Sequence, residues 1–229
     1  QVMVATRKGN TAVRAGDKLA GMRVIPLVID ESVLDEADAV AAAAPGAGPL
    51  CEVVPFRLRR VGIVTTGSEV AGGLIEDSFT PVVQAKLAAY GIEMVAHELP
   101  GDDVDDIVAA IGRVREAGVD LVVCTGGMSV DPDDNTPGAI QRSGAAMVTY
   151  GAPVLPGAML FVGYYADGIP VLGLPGCVMF AKATILDLVL PRIAAGIRLS
   201  REDVVTYGEG GLCLGCAECH YPICPFGKE

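Results

Sequence analysis

Three glycine-bearing turns carry the residue types from which an anion site can be built: Thr65-Thr66-Gly67-Ser68-Glu69, Thr125-Gly126-Gly127-Met128-Ser129 and Gly173-Leu174-Pro175-Gly176-Cys177. Glycine lets backbone N–H groups approach an anion closely, and a helix start adds about half a positive charge. Carboxylates recur beside these turns: Glu69, Asp77, Asp102, Asp103, Asp131, Asp133 and Asp134. Acidic side chains next to phosphate-binding turns suit Mg²⁺ shared between protein and phosphate oxygens. Each feature has a plainer use. A glycine can simply make a turn, Asp102 can simply cap a helix, and 131–134 can be a solvated turn.

A second group lies near the end of the chain, where Cys213, Cys216, Cys219 and Cys224 follow the spacing C-x2-C-x2-C-x4-C. Four thiolates so spaced can surround one metal centre. An iron–sulfur cluster is suggested, since the bacterial cluster-binding run differs by one residue in its last gap; a Cys₄ zinc site is the alternative. His220 is a further candidate ligand beside Cys219. Cys177, placed at a helix start, is expected to have a lowered thiol pKa, or else to be a small space-filling residue. His97 ends a strand and could face the glycine turns.

Strand-like runs at 61–66, 92–97, 120–125 and 169–174 are short and almost wholly apolar, as strands covered on both faces are. Helix signals lie between them. Thr80-Pro81 opens a helix closed by Gly91, and Asp102 or Asp103 opens one that ends at Gly118. Thr136-Pro137 opens a third that stops at Gly144, and a last helix runs from Cys177 to Leu190, where Pro191 interrupts it. Alternation of this kind implies an α/β fold with a mainly parallel, doubly wound sheet, whose ligands sit beyond the carboxyl ends of the strands. All three glycine turns fall there. Upstream, residues 1–58 form a small β-containing remnant of a preceding domain, with a strand over 24–29 and a linker at Pro45-Gly46-Ala47-Gly48-Pro49. The α/β domain covers 59–198, and 199–229 form the cysteine-rich, metal-binding tail.

The 229 residues include 17 Lys+Arg and 28 Asp+Glu, a net charge of −11, which excludes a generic nucleic-acid binder. With 51% hydrophobic residues the chain can fill a core and is not disordered. The most apolar stretch, 171–190, is broken by Pro175, Gly176, Lys182 and Asp187, so no membrane span is expected. No secretory leader is visible after Gln1, and free cysteines suit a reducing compartment, so the expected location is cytoplasmic.

Thr66-Gly67-Ser68-Glu69, Gly73-Leu74-Ile75-Glu76-Asp77-Ser78, Thr125-Gly126-Gly127-Met128-Ser129-Val130 with Asp134, and Gly173-Leu174-Pro175-Gly176 resemble, in order and spacing, the motifs of the molybdopterin-binding domain. That domain is shared by molybdopterin adenylyltransferases and molybdopterin molybdenumtransferases, and the resemblance covers about residues 60–196. The overall pattern is most similar to molybdopterin-binding proteins of anaerobes that carry a closing cysteine-rich segment. The resemblance implies a three-layer α/β/α fold that binds molybdopterin or its adenylated form. It further implies Mg²⁺-dependent molybdate insertion with AMP release, with Glu69, Asp77, Asp102 and Asp134 as the catalytic acids. Thr66, Gly67, Ser68, Gly126, Gly127, Ser129, Pro175, Gly176 and Cys177 are then the cofactor-binding positions. A homo-oligomer, dimer or trimer, is implied as well.

The chain departs from the enzymes of the family at three places. Cys177 and Phe79 stand where asparagine is usual, and Leu155-Pro156-Gly157-Ala158-Met159 lacks the lysine of a P-G-K-P segment. Holding an anion would then depend on backbone dipoles, on a metal ion, or on Lys182 or Lys86 from elsewhere in the chain. Two functions therefore stand side by side: an assembly enzyme of the molybdenum cofactor, and a non-catalytic carrier or sensor of that cofactor with an iron–sulfur or zinc tail.

Overall fold

A computed structural model describes residues 1–43, 49–129, 131 and 134–228. The chain forms two units, Gln1–Pro55 and Phe56–Glu229. The sequence-based boundary at 58 thus lies three residues downstream of the structural one. Residues 199–228 belong to the second unit, and most of the expected linker, 45–48, lies outside the described residues.

In the first unit β1 (Val2–Thr6) pairs antiparallel with β2 (Ala20–Val24), and α1 (Glu31–Ala42) follows. Of the strand expected over 24–29, only Val24 is in a ladder. Pro26 offers no N–H to a sheet, and Leu27 and Val28 point fully into solvent.

The second unit is built on a six-stranded sheet of β3 (Arg60–Thr65), β4 (Glu93–Glu98), β5 (Leu121–Thr125), β6 (Ala146–Tyr150), β7 (Phe161–Tyr164) and β8 (Pro170–Leu174), in the order β4-β3-β5-β8-β7-β6. β3, β4, β5 and β8 run parallel, as expected, while β7 is antiparallel to both its neighbours. The sheet is therefore mixed. The expected strand set lacked the β6–β7 hairpin, whose short strands are joined by a long proline- and glycine-bearing connection rather than a tight turn.

Helices cover both faces, giving three layers. On one face α3 (Phe79–Ala88) and α6 (Ile185–Ala194) bury Val83, Leu87, Ile185 and Val189 against Val61, Ile63, Leu172 and Leu174. On the other, α4 (Val104–Glu116) and α5 (Thr136–Arg142) bury Ile107, Ile111, Val114 and Ile140 against Val64 and Val122. Gly62 permits the close approach of α4, since a Cβ there would meet Val114 Cβ at 2.8 Å. Among the described residues no helix is long and apolar enough to cross a membrane.

The helix expected from Cys177 to Leu190 is two elements. Gly176–Met179 makes a single 3₁₀ turn, and α6 begins at Ile185 behind a reciprocal cap in which Thr184 Oγ1 accepts from Leu186 N and Asp187 accepts from Thr184 N. Pro191 does not stop α6, which runs on to Ala194. Proline lacks the N–H that would bond Asp187 O, and the hydroxyl of Tyr221 supplies that bond instead, at 2.8 Å. The tail thereby satisfies a carbonyl that the helix leaves open.

Candidate functional site

The chain leaves β3 toward β4 on one side of the sheet, yet β5 lies on β3's other side. The carboxyl ends of β3 and β5 thus flank a switch point, where α/β sheets open a crevice. Thr66-Gly67-Ser68 and Gly126-Gly127 stand side by side there, because Thr66 N donates to Thr125 O at 2.8 Å. Thr66 Oγ1 lies 3.2 Å from Thr125 O and 3.1 Å from Thr136 Oγ1 at the start of α5.

The two glycines of the second turn have no room for a side chain. At Gly126, with φ +81°, a Cβ would strike the Thr66 carbonyl oxygen and lie 2.7 Å from Thr66 Oγ1. At Gly127, with φ +51°, it would lie 2.9 Å from Thr136 Oγ1. Backbone turns free of side chains can make anion-binding concavities. Beside the two glycines Thr125 Oγ1 is wholly buried and has no hydrogen-bond partner. The side-chain-free turn and this unpartnered hydroxyl are what the fold offers an anionic group.

The acidic residues divide by what they hold. Asp103, not Asp102, caps α4 by accepting from Asp105 N and Asp106 N. Asp102 instead reaches the first turn and accepts from Ser68 N at 2.9 Å and Ser68 Oγ at 2.6 Å. Asp134 accepts from Ser129 N at 2.7 Å, and Asn135 Nδ2 donates to Asp102 O at 2.9 Å, which ties the loops after β4 and β5 together. Glu69 is exposed on the short helix α2 (Ser68–Ala71). Asp131 is exposed, while Val130, Pro132 and Asp133 lie outside the described residues.

Asp77 is the true opening of α3. It accepts from Phe79 N at 2.9 Å, from Thr80 N at 3.0 Å and from the Thr80 hydroxyl, so Thr80 donates where it was expected to cap. His97 Nε2 lies 3.4 Å from Asp77 and 3.2 Å from the hydroxyls of Thr65 and Thr80. Burial alone would raise the Asp77 pKa, but the Thr80 and Phe79 hydrogen bonds and His97 outweigh it, and the group sits below its ordinary 3.8. This Asp77-Thr80-Thr65-His97 cluster went unnoticed in the sequence as a unit; the one sign was His97 at a strand end.

Pro175-Gly176-Cys177 follows β8, the other neighbour of β5, and Ser78 Oγ reaches Met179 Sδ at 3.6 Å, so the start of α3 approaches the turn that follows β8. Cys177 corrects expectation: it lies in the four-residue 3₁₀ turn rather than on an α-helix, and burial raises its thiol pKa. A raised thiol is the space-filling reading. Neither lysine offers the glycine turns a charge. Lys86 Nζ is held 2.6 and 2.8 Å from the Asp187 carboxylate, and Lys182 lines a cavity in the tail. The Leu155-Pro156-Gly157 segment also faces the tail, pairing with Leu212 through Leu155.

All four tail cysteines, with His220, line that cavity, which measures 280 Å³. Among the described residues no three His, Cys, Asp or Glu side chains converge closely enough to hold a single metal ion. This is true of the tail and of the acidic residues near the glycine turns.

Comparison with known proteins agrees with this geometry. The profile described as a probable molybdopterin binding domain matches residues 62–195, more than half of the chain. The chain is 36% identical over 83 residues to a CinA-like protein of Mycobacterium avium and 37% identical over 83 residues to one of Mycobacterium tuberculosis. In each case 36% of this chain is covered and 19% of the relative, so the match spans about a fifth of those proteins. The molybdopterin biosynthesis enzyme MoaB of Thermus thermophilus superposes with a TM-score of 0.51 at 25% identity, over 61% of this chain and 98% of MoaB. The tungsten cofactor synthesizing protein MoaB of Pyrococcus furiosus shares the fold, with a TM-score of 0.50 at 20% identity over 66% and 99% of the two chains. With its glycine turns, its switch-point crevice and the profile match all falling on the same α/β unit, the chain belongs to the molybdopterin-binding domain family.

Proposed function

We propose that the second unit binds molybdopterin, or its adenylated form, through the phosphate end of the ligand, as a component of molybdenum-cofactor biosynthesis. The observation that carries this reading is the Gly126-Gly127 turn at the switch point, which has no room for side chains and is walled by Thr66 and Thr136. Ser68 and Ser129, fixed by Asp102 and Asp134, form its rim. Mg²⁺ is the expected companion. It binds through one or two carboxylates plus substrate phosphates, which suits acids that stand near the turn without forming a cage of their own. Glu69, Asp102 and Asp134 are the carboxylates proposed to share it, and Asp77 orders the start of α3 beside them.

Molybdate insertion with AMP release is the step proposed for the enzyme reading, in which the ion neutralises the phosphoanhydride while the backbone donors hold it. The carrier or sensor reading has its own support in the engagement of Lys86 by Asp187 and the missing lysine in 155–159. Titrating adenylated molybdopterin and molybdate with and without Mg²⁺ separates the two. AMP release establishes the enzyme, tight binding without turnover establishes the carrier, and no binding refutes both. Asp134→Ala is expected to weaken Mg²⁺-dependent binding while leaving the fold intact. A homo-oligomer, proposed from the family resemblance, is checked by light scattering on the same samples.

A further inference from the structure

The segment from Gly210 to Gly227 leaves and rejoins the α/β unit at one point, where Gly227 N donates to Gly210 O at 2.9 Å. Three contacts fasten it. Cys213 N donates to Leu155 O and Leu155 N to Gly211 O, each at 2.8 Å; Tyr221 reaches Asp187 O; and Phe226 is 3% exposed in the core. Between these anchors the loop has almost no interior. Leu212, Leu214 and Ile223 are largely exposed, and the four cysteines border the 280 Å³ cavity together with Leu212 and Leu214. All four are free thiols, so no disulfide holds the loop. A loop that gathers four thiols about one cavity and leaves three large apolar side chains exposed has little buried surface to order itself, a shortfall that a metal staple makes good.

The C-x2-C-x2-C-x4-C spacing favours one staple, since zinc sites more often use two separated C-x2-C knuckles. Among the described residues no three ligand side chains converge on a single point. A polynuclear cluster spreads its ligands, one thiolate to each iron, around a body that fills a cavity. We infer that Cys213, Cys216, Cys219 and Cys224 bind a [4Fe–4S]-type cluster in this cavity. On binding, each thiol gives its proton to solvent and its sulfur to one iron. Lys182, also lining the cavity, offsets part of the resulting negative charge. The site is distinct from the glycine turns and does not depend on what they bind.

The full chain, purified without oxygen and reconstituted with ferric iron and sulfide under a thiol reductant, which supplies the two electrons that a half-reduced cluster takes up, tests this directly. About four irons and four sulfides per chain are expected, with visible sulfide-to-iron absorption that bleaches on reduction. In Cys216→Ala/Cys219→Ala, both exposed positions, iron should fall to less than about a quarter of that content. Cys51→Ala should retain all of it. Circular dichroism of the double variant confirms that the α/β unit is folded, and Mössbauer spectra of the unsubstituted chain report the cluster without any variant. Iron held without sulfide, a zinc ion retained in preference to iron, or undiminished iron in a folded double variant would overturn the inference.

Discussion

Gly126→Ala is the substitution to which the proposed site should be most sensitive. Its φ of +81° costs an L-residue about 1–2 kcal/mol. The new methyl would also collide with the Thr66 carbonyl oxygen, and lie 2.7 Å from Thr66 Oγ1 and 3.1 Å from the carbonyl carbon. Because the obstacle is backbone, it cannot rotate away, and such overpacking costs about 1–3 kcal/mol. The sum, about 2–5 kcal/mol, corresponds to a Tm lowered by roughly 4–20 °C in a unit of this size. Calorimetry measures the loss. Gly138→Ala on α5 is the matched control: its Cβ meets nothing within 4 Å, and helix propensity predicts a gain of up to about 1 kcal/mol. Isothermal titration with molybdopterin should show at least about tenfold weaker binding in the first variant, the effect of about 1.4 kcal/mol, and none in the second. If Gly126→Ala melted and bound like the unsubstituted chain, the turn would not be glycine-locked and the placement of the anion there would be wrong.

Other perturbations probe the surroundings. Asp77 and Asp203 both have pKa values held below 3.8 in the folded chain, hydrogen bonds outweighing burial in each. Their contribution to stability is complete above the unfolded value and is lost as pH falls through the lower folded one. Acid unfolding followed by circular dichroism should therefore show less pH dependence below about pH 4 in Asp77→Asn than in the unsubstituted chain, and an equal dependence would remove Asp77 from that role. Lys86→Met should cost about 1–3 kcal/mol in urea unfolding by stripping a charged partner from Asp187, yet leave molybdopterin affinity unchanged. Weakened affinity would place Lys86 in the site. In timed thiol labelling of the native chain, exposed Cys51 should react before Cys177, and Cys124, its pKa raised to about 12 by complete burial, should not react. Faster labelling of Cys177 would show an activated thiolate.

The parallel part of the fold was readable because β3, β5 and β8 are buried on both faces and announce it as unbroken apolar runs. The β6–β7 hairpin was not, since Ala146–Tyr150 is largely exposed and mixes polar with apolar residues. Helix starts were read one residue type too simply. Thr80-Pro81 and Asp102-Asp103 both looked like caps, but which of two neighbouring polar residues turns inward depends on the chain opposite. Ser68, 34 positions away, takes Asp102, and Asp103 is left to cap. Pro191 misled for the same reason. A proline ends a helix when its orphaned carbonyl has no partner, and the partner here, Tyr221, is 30 residues further along in the tail.

Paired cations explain why the proposed anion site relies on its backbone. In the second unit Lys86, Arg113, Arg115, Arg142 and Arg192 are each bound to a carboxylate, at 2.6 to 2.8 Å. Arg59 and Arg60 donate to main-chain carbonyls, and Arg198 lies 4.0 Å over the Tyr164 ring. None of these charges is spent on the glycine turns. A lysine-based phosphate site tolerates small shifts of the loop that carries it, because a long side chain re-aims a point charge. One built from N–H groups does not, because each donor is fixed by φ and ψ and weakens steeply with angle. Precision of the turn therefore replaces charge, and the contacts of Thr66, Thr136, Asp102, Asp134 and Asn135 are what provide that precision. The same reasoning makes a divalent ion the natural source of the positive charge that the side chains withhold.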